Sequence, residues 1–290
     1  MANLKAIRKR ITSVKNTRKI TRAMKLVAAA RLRRAQENIT RARPLALQTG
    51  AMIASLAARA GDDVETHPLL ARREPQRVLF VVLTSDRGLA GAFNSGVSKA
   101  AHRAYLQMQA EGQTVVGLAM IGRKGADYFR RRHIKIDHTF SNMYEGLNYQ
   151  KAEQIGNYII EAYTALKLDA AYLCYNEFKS AITQKVVVAK ILPIEPAEPP
   201  PDNMVDYIYE PDQKTLLSTI LPLYVNVEIY RALLESVASE HGARMTAMDN
   251  ATNNAQDMIK KLTLQANRAR QSAITTELME IIGGAEALKG

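Results

Sequence analysis

The sequence predicts an α/β protein: a long antiparallel coiled coil of N- and C-terminal helices, plus a central α/β domain with a mainly parallel sheet. Three observations carry this. All 17 Phe and Tyr lie between Phe80 and Tyr230, and aromatics dominate globular cores, so the middle reads as globular and the ends as something thinner. From Leu223 to Ile282 there is no proline and one glycine, Gly242, a stretch about 90 Å long as a single helix. Between the ends, apolar runs of strand length alternate with helical stretches, the signature of an α/β sheet.

The elements follow in order. Residues of about 3–58 have no glycine before Gly50 and one proline, Pro44; Ala, Arg, Lys, Leu and Met favour helix. Leu4, Ile7, Ile11 and Val14 keep a 3–4 spacing that Leu32, Ala35, Ile39 and Ala42 resume. Between them the heptad places fall on Arg18, Thr21, Lys25 and Ala28, and a second apolar face runs Ile20, Met24, Val27. This predicts a long helix with a drifting seam, bent or restarted at Pro44. The stretch Gly61–Pro75 is a linker by its Gly, Pro and charges. RVLFVVLTSD, VVGLAMIG (Val115–Gly122), DAAYLCYNEF and KVVVAKILPI read as four strands. Helices are expected near Asn94–Glu111, Lys124–Arg132 and Tyr149–Leu168, and the short third-to-fourth link suits an antiparallel hairpin at the edge. IEPAEPPPDN, Ile194–Asn203, holds four prolines and closes the domain. After Pro222 the second long helix begins its uninterrupted run. Val227, Leu234, Met248, Ala255, Leu262 and Ala269 sit at multiples of seven, with His241 the exception, and Gly283-Gly284 reads as a stop. The domains are drawn at 1–60 (N-terminal shaft helix), 75–205 (globular α/β domain) and 213–286 (C-terminal shaft helix). Neither helix can bury its seam alone, so the economical arrangement is an antiparallel pair, slender because Ala28, Ala29, Ala30, Ala255 and Ala269 allow close approach.

Charge is concentrated. Residues 1–43 hold 14 Lys and Arg against one acid, Glu37, while the remaining residues net −1 of the total +12. An acidic partner is expected for that one segment. The single cysteine, Cys174, excludes an intramolecular disulfide and a Cys-rich metal site and suits a reducing compartment. No run of 18 apolar residues exists, so no helix is expected to span a membrane.

Chemistry is sparse. GLAMIGRK, Gly117–Lys124, nearly spells a P-loop, but Arg123 follows the second glycine and no Ser or Thr follows the lysine to hold Mg²⁺; a strand-to-helix turn fits better. TSDRGLAGAFN, Thr84–Asn94, follows the first strand, where α/β domains put ligand sites, and its glycines could admit a phosphate, yet it lacks a full GxGxxG. The five histidines are scattered without metal-ligand spacing. No nucleophile–base pairing declares itself, and Asp206 and Glu210 read as solvated turn residues. The basic helix leaves several readings open: a nucleic-acid arm, against which stands the lack of aromatics for stacking bases; an Arg-rich, acid-poor transit peptide; a shaft that meets acidic protein surfaces; or a plain solvated face.

Longer stretches carry a resemblance. IRKRITSVKNTRKITRAMKLVAAARLRRAQ, TSDRGLAGAFN, DYIYEPD (Asp206–Asp212), SEHGARMTAMDNATNNA (Ser239–Ala255) and NRARQSAITTELMEIIGGAEAL (Asn267–Leu288) resemble, in order and along essentially the whole chain, the gamma subunit of bacterial F-type ATP synthases. The resemblance implies the same two-helix coiled coil with a Rossmann-like α/β domain, and a mechanical role. The shaft would turn inside a 3:3 ring of alpha and beta subunits, with its globular domain beside the epsilon subunit on the c-subunit ring, one copy per complex. Transmembrane ion flow would drive ATP synthesis or hydrolysis on the ring, with no catalytic residue, cofactor or metal in this chain. It implies beta-subunit contact at Met24 and Lys25, at Arg270 and Gln271 with Thr275 a turn later, and at Asp86, Arg87 and Gly88. Simple coiled-coil packing is the competing reading for Met24, and a solvated charge for Arg270. Exposed ion pairs are individually weak, about 0–1 kcal/mol, which suits a surface that must break and remake contacts every third of a turn.

Ala90 stands where many relatives have cysteine, and Cys174 lacks the second cysteine of thiol-controlled chloroplast members. The match begins at about Leu4, so no presequence is expected, and the location expected is the cytoplasmic face of a bacterial membrane, peripherally. The runner-up is a basic coiled-coil protein that binds nucleic acid; a third reading is an α/β enzyme with a ligand at Thr84–Asn94.

Overall fold

The structure, a computed structural model, describes residues 4–59, 67–71, 73–195 and 213–287. Residues 61–66 and 72 of the 61–75 linker, residues 196–203 of the proline-rich link, and DYIYEPD with Asp206 and Glu210 lie outside the described residues. The elements are α1 (Leu4–Arg59), β1 (Arg77–Leu83), α2 (Phe93–Ala110), β2 (Thr114–Ile121), α3 (Arg123–Arg130), β3 (His138–Phe140), α4 (Tyr149–Thr164), β4 (Ala170–Phe178), β5 (Gln184–Leu192) and α5 (Gln213–Ala287). Contacts divide the chain into two compact units, Met1–Ala28 with Met245–Gly290, and Ala29–Arg244. The boundary cuts through both long helices instead of falling at their ends.

In the first unit α1 and α5 pair antiparallel. Thr21 Oγ1 lies 2.8 Å from Thr252 Oγ1, Lys25 Nζ donates to Asp249 Oδ1 at 2.6 Å, and Arg18 Nη1 donates to Gln256 Oε1. Numbers rise on one helix as they fall on the other. Apolar seam positions flank these polar layers: Leu4, Ile7, Ile11 and Val14 are half-buried, and Ala28, Met248, Ala255, Ile259, Leu262 and Ala266 are buried. The drift expected of the seam does not occur. The heptad places stay in the interface because Arg18, Thr21 and Lys25 each find a polar partner across it, and a buried polar group with a partner carries little penalty. Of the second apolar face, Ile20 is 60% and Val27 53% exposed, and only Met24 is half-buried.

In the second unit α1 continues its seam with buried Leu32, Ala35 and Ala46. Pro44 lies inside α1 and neither ends nor restarts it. One lost N–H is outweighed because Ala46, Thr49 and Ile53 beyond it are all buried, and tertiary packing supplies most helical stability. Pro222 likewise lies inside α5, which begins at Gln213, with buried Leu217, Ile220, Leu221 and Val225 on either side of it. Nor do Gly283 and Gly284 stop α5, which runs on to Ala287; each glycine costs a helix only about 1 kcal/mol relative to alanine.

The sheet order is β3-β2-β1-β4-β5. β1 pairs parallel with β2 and β4, β2 parallel with β3, and β4 antiparallel with β5. The four expected strands, the three expected helices and the antiparallel edge all form. β3 is additional: three residues set against Ala119–Ile121, too short to leave a periodic signal. β1 is buried on both faces from Val78 to Leu83, which explains its unbroken apolar run. On one face Val97, Ala101, Ala126 and Phe129 of α2 and α3 cover Val78, Phe80, Val82, Leu118 and Met120. On the other, Ile155, Ile159 and Tyr163 of α4 and Leu221, Val225, Ile229 and Leu233 of α5 cover Leu79, Val81, Leu83 and Ile121. Each fully buried side chain of this size contributes roughly 1.5–3 kcal/mol. Gly156 permits the approach of α4 to α5, because a Cβ there would lie 1.7 Å from Asn226 Oδ1.

At the amino edge of the sheet Asp169 accepts from the Arg77 backbone N at 2.8 Å, from Arg77 Nε at 3.1 Å and from Arg77 Nη2 at 2.8 Å. Those hydrogen bonds hold its carboxyl below the usual carboxylate range. A carboxyl whose pKa is depressed on folding adds stability above its unfolded pKa, and that stability is lost as pH falls through the folded value. Asp169→Asn is therefore expected to lower Tm by a few degrees at neutral pH. The gap to the unaltered chain should close as pH drops below about 4, in thermal unfolding followed by circular dichroism.

Candidate functional site

An open α/β sheet binds ligands outside the carboxyl ends of its strands, where the strand order reverses. Here that place lies past β1 and β4, and the loop Thr84–Asn94 fills it. Thr84 Oγ1 donates to the Ile121 carbonyl at 3.0 Å and accepts from Gly125 N at 2.8 Å. Lys124 N donates to the Ser85 carbonyl at 3.1 Å, and Arg123 N donates to Asp86 Oδ1 at 3.0 Å. The amide groups opening α3, which could receive an anion, are thus taken by the chain's own carboxylate, carbonyl and hydroxyl. The near-P-loop is a strand-to-helix turn, with Gly122 at φ +87° and no room for a side chain: a Cβ would lie 2.0 Å from the Thr84 carbonyl oxygen.

The rest of the crevice is closed in the same way. Ser85 N donates to Asn94 Oδ1 at 2.8 Å and Ser85 Oγ to the Arg87 carbonyl at 2.6 Å. Asn176 Nδ2 donates to the Phe93 carbonyl at 3.3 Å, and Ser239 Oγ of α5 to the Asn176 carbonyl at 3.0 Å. Among the described residues no group of three His, Cys, Asp or Glu could hold a metal. Burial pushes the Cys174 thiol up, away from reactivity.

The contact residues read from the sequence fall into three separate groups. Met24 and Lys25 are half-buried on α1, and Lys25 is engaged within the chain by its ion pair with Asp249. Arg270, Gln271 and Thr275 are exposed on α5, where Thr275 Oγ1 donates back to the Gln271 carbonyl at 2.9 Å. Asp86 is half-buried against α3, Arg87 is exposed, and the Gly88 carbonyl accepts from Arg244 Nη2 at 3.2 Å. That last contact belongs to a cluster the sequence reading missed. Arg244 Nη2 also donates to Glu240 Oε1 at 2.5 Å, and Arg244 Nη1 lies 3.3 Å from His241 Nδ1. Burial raises the Glu240 carboxyl, with Arg244 opposing the shift. Burial, then the charges of Arg244 and Arg31, lower the His241 imidazole to about 4, so it is neutral near pH 7. The signals available were the Glu-to-Arg spacing of four and the one histidine that breaks the heptad.

Fold and site together define a class: a chain with two long helices that pair antiparallel in the first unit, and an α/β domain in the second whose ligand crevice is filled by its own side chains. Comparison with known proteins then gives the family. A family model described as ATP synthase matches residues 3–288. The chain is 50% identical over its whole length to the ATP synthase gamma chain of Trichlorobacter lovleyi, and 52% identical to that of Anaeromyxobacter sp. strain Fw109-5, in each case covering all of the relative. Among solved structures it resembles a chain of the central stalk and c-ring of the Tetrahymena thermophila mitochondrial ATP synthase, at 25% identity and TM-score 0.58, over 80% of this chain and 99% of that one. A Euglena gracilis mitochondrial ATP synthase chain shares the fold at TM-score 0.67 and 20% identity, over 98% of this chain and 94% of that one. The chain belongs to the gamma chains of ATP synthase, the rotor subunits of the central stalk.

Two substitutions probe this geometry. Gly122→Ala is expected to cost about 3 kcal/mol in urea unfolding, since it combines a left-handed residue with a backbone clash. Lys25→Ala, by contrast, should cost less than about 1 kcal/mol by the same measurement, because its partly exposed pair with Asp249 is screened by solvent.

Proposed function

We propose that the chain has no active site of its own and couples ion-driven turning of a c-subunit ring to catalysis on a 3:3 ring of alpha and beta subunits. It would serve one copy per complex, next to the epsilon subunit, peripherally on the cytoplasmic face of a bacterial membrane. No helix of the described residues is long and apolar enough to cross a membrane.

The observation that carries this reading is the free end of α5. The pairing register set by Lys25–Asp249, Thr21–Thr252 and Arg18–Gln256 brings Leu4, the first described residue of α1, level with about Ala269. Beyond it α5 continues for about 27 Å. From Arg270 to Ala285 every residue but half-buried Thr276 is exposed, including Ile274, Leu278, Met279, Ile281 and Ile282. An apolar helix end of this length, slender and without aromatics, fits a pivot held in an apolar sleeve. Arg270, Gln271 and Thr275 at its base are the residues assigned to beta-subunit contact, together with Met24 and Lys25 on α1 and Asp86, Arg87 and Gly88 on the loop. Of these, Arg87, Arg270, Gln271 and Thr275 are exposed, and contacts of that kind are each weak, so none of those four locks the rotor to its surroundings.

The test is a pull-down from gently solubilised, nuclease-treated membranes through a C-terminal tag, eluted at moderate salt. Two larger proteins in equal excess over the chain, with ATPase activity, are expected. Nucleic acid without ATPase would overturn the proposal in favour of a basic binding arm. A chain ending before Gln271 should still enter the complex but deliver reduced torque in single-molecule rotation; full torque from that rotor would refute the pivot.

A further inference from the structure

The pair Glu240–Arg244 is more deeply buried than a shaft surface requires. Each residue is 8% exposed. Both lie on α5, yet the guanidinium reaches past its own helix to the loop after β1. One nitrogen, Nη2, serves Glu240 Oε1 at 2.5 Å and the Gly88 carbonyl at 3.2 Å, and Nη1 stands 3.3 Å from His241 Nδ1. A neutral His241 with its proton on Nε2 offers Nδ1 as an acceptor, so all three neighbours face the fork with lone pairs.

The loop needs such a hold. Leu89 sits at φ +63° with its side chain 63% exposed, and Gly91 follows at φ +55°. A leucine in the left-handed region gains nothing there from burial, so its surroundings must impose the conformation. The loop's base is fixed by Asp86 on Arg123 N and by Ser85 on Asn94. Its tip is fixed from α5, through the Gly88 carbonyl.

We infer that Arg244 is a positioning residue that clamps the tip of the loop Asp86–Gly91 to α5, so that Arg87 and Leu89 are presented outward in one fixed attitude. Asp86 and Arg31 add to the field at Glu240, and Arg31 to that at His241, so α1, α5 and the loop meet electrostatically at this point. The fork geometry explains the choice of arginine, since a lysine ammonium carries the charge but cannot address three acceptors in one plane. Resting on the reading of this loop as a surface that meets the ring, the clamp makes the loop turn with the helix instead of trailing it.

The test compares the unaltered full-length chain with Arg244→Lys and Arg244→Gln. Arg244→Lys keeps a cation beside the buried Glu240 carboxylate, so it is expected to fold where Arg244→Gln, which leaves that carboxylate unpaired, is expected to lose stability. Two readouts follow the loop: amide hydrogen exchange over residues 87–90, and the rate of tryptic cleavage after Arg87. Both are expected to rise about tenfold in Arg244→Lys while exchange in β1 and over residues 225–235 of α5 stays unchanged. Unchanged loop exchange would overturn the clamp. So would a rise shared equally by β1 and α5, which would mark a general loosening. Torque of the assembled complex is a separate readout: a freed loop with unaltered torque would retire the loop as a ring contact and leave the clamp standing.

Discussion

The constraint on which the rest depends is that two very long helices must bury a seam while staying thin. Large side chains would secure the seam but widen the pair. The chain instead uses alanine for close approach and interrupts the apolar layers with polar ones. Thr21 against Thr252, Lys25 against Asp249 and Arg18 against Gln256 are each matched. Such layers add little net stability, yet a one-step slip would leave every one of them mispaired. Polar positions in a coiled coil are well suited to fixing register in this way. In the first unit, close approach thus rests on seam residues such as Ala28, Ala255 and Ala266, and register on three polar rungs.

The α/β domain obeys a complementary logic. Its topology creates a crevice at the carboxyl ends of β1 and β4, and the chain fills that crevice with Thr84, Ser85, Asp86, Asn94 and Asn176. Asp86 is the telling residue. It places a carboxylate on the first amide of α3, where a nucleotide-binding relative of the same topology would place a phosphate. A crevice well suited to binding is filled, and the two apolar faces of the sheet are covered by helices. Of the side chains that seal it, Ser85, Asp86 and Asn94 also fix the base of the loop Asp86–Gly91.

Much of this was legible in the sequence. Strand runs buried on both faces, such as RVLFVV, announce themselves by composition, and the aromatic-free ends announce helices with no wide core to fill. The heptad places were visible too, including the polar ones, but a reading that equates seam with apolar residues turned Ile20, Met24 and Val27 into a second face. Polar residues in a seam are recognised only once their partners are known, and Thr252, Asp249 and Gln256 lie more than 200 positions away. Pro44 as a restart and Gly283-Gly284 as a stop failed as punctuation for a similar reason. A local helix breaker costs a few kcal/mol at most, and buried side chains on both sides of Pro44 outweigh it. β3 was too short to see, and the Glu240–Arg244–Gly88 cluster needs a loop contact that no local spacing reveals.

The basic helix finally divides into two kinds of cation. Where the first unit's seam requires a polar rung, Arg18 and Lys25 are turned inward and matched on α5, so part of the positive charge is structural and leaves no signature distinguishable from surface charge in a composition count. On the outer side, exposed residues such as Ile20, Leu26 and Val27 alternate with cations along a helix that has no aromatic anchor. Tight interfaces draw their affinity from buried aromatic and arginine anchors in well-packed pockets, and this face has none of the aromatic kind. A surface built from scattered aliphatic side chains and solvated charges offers no such anchor, which suits a part that has to turn.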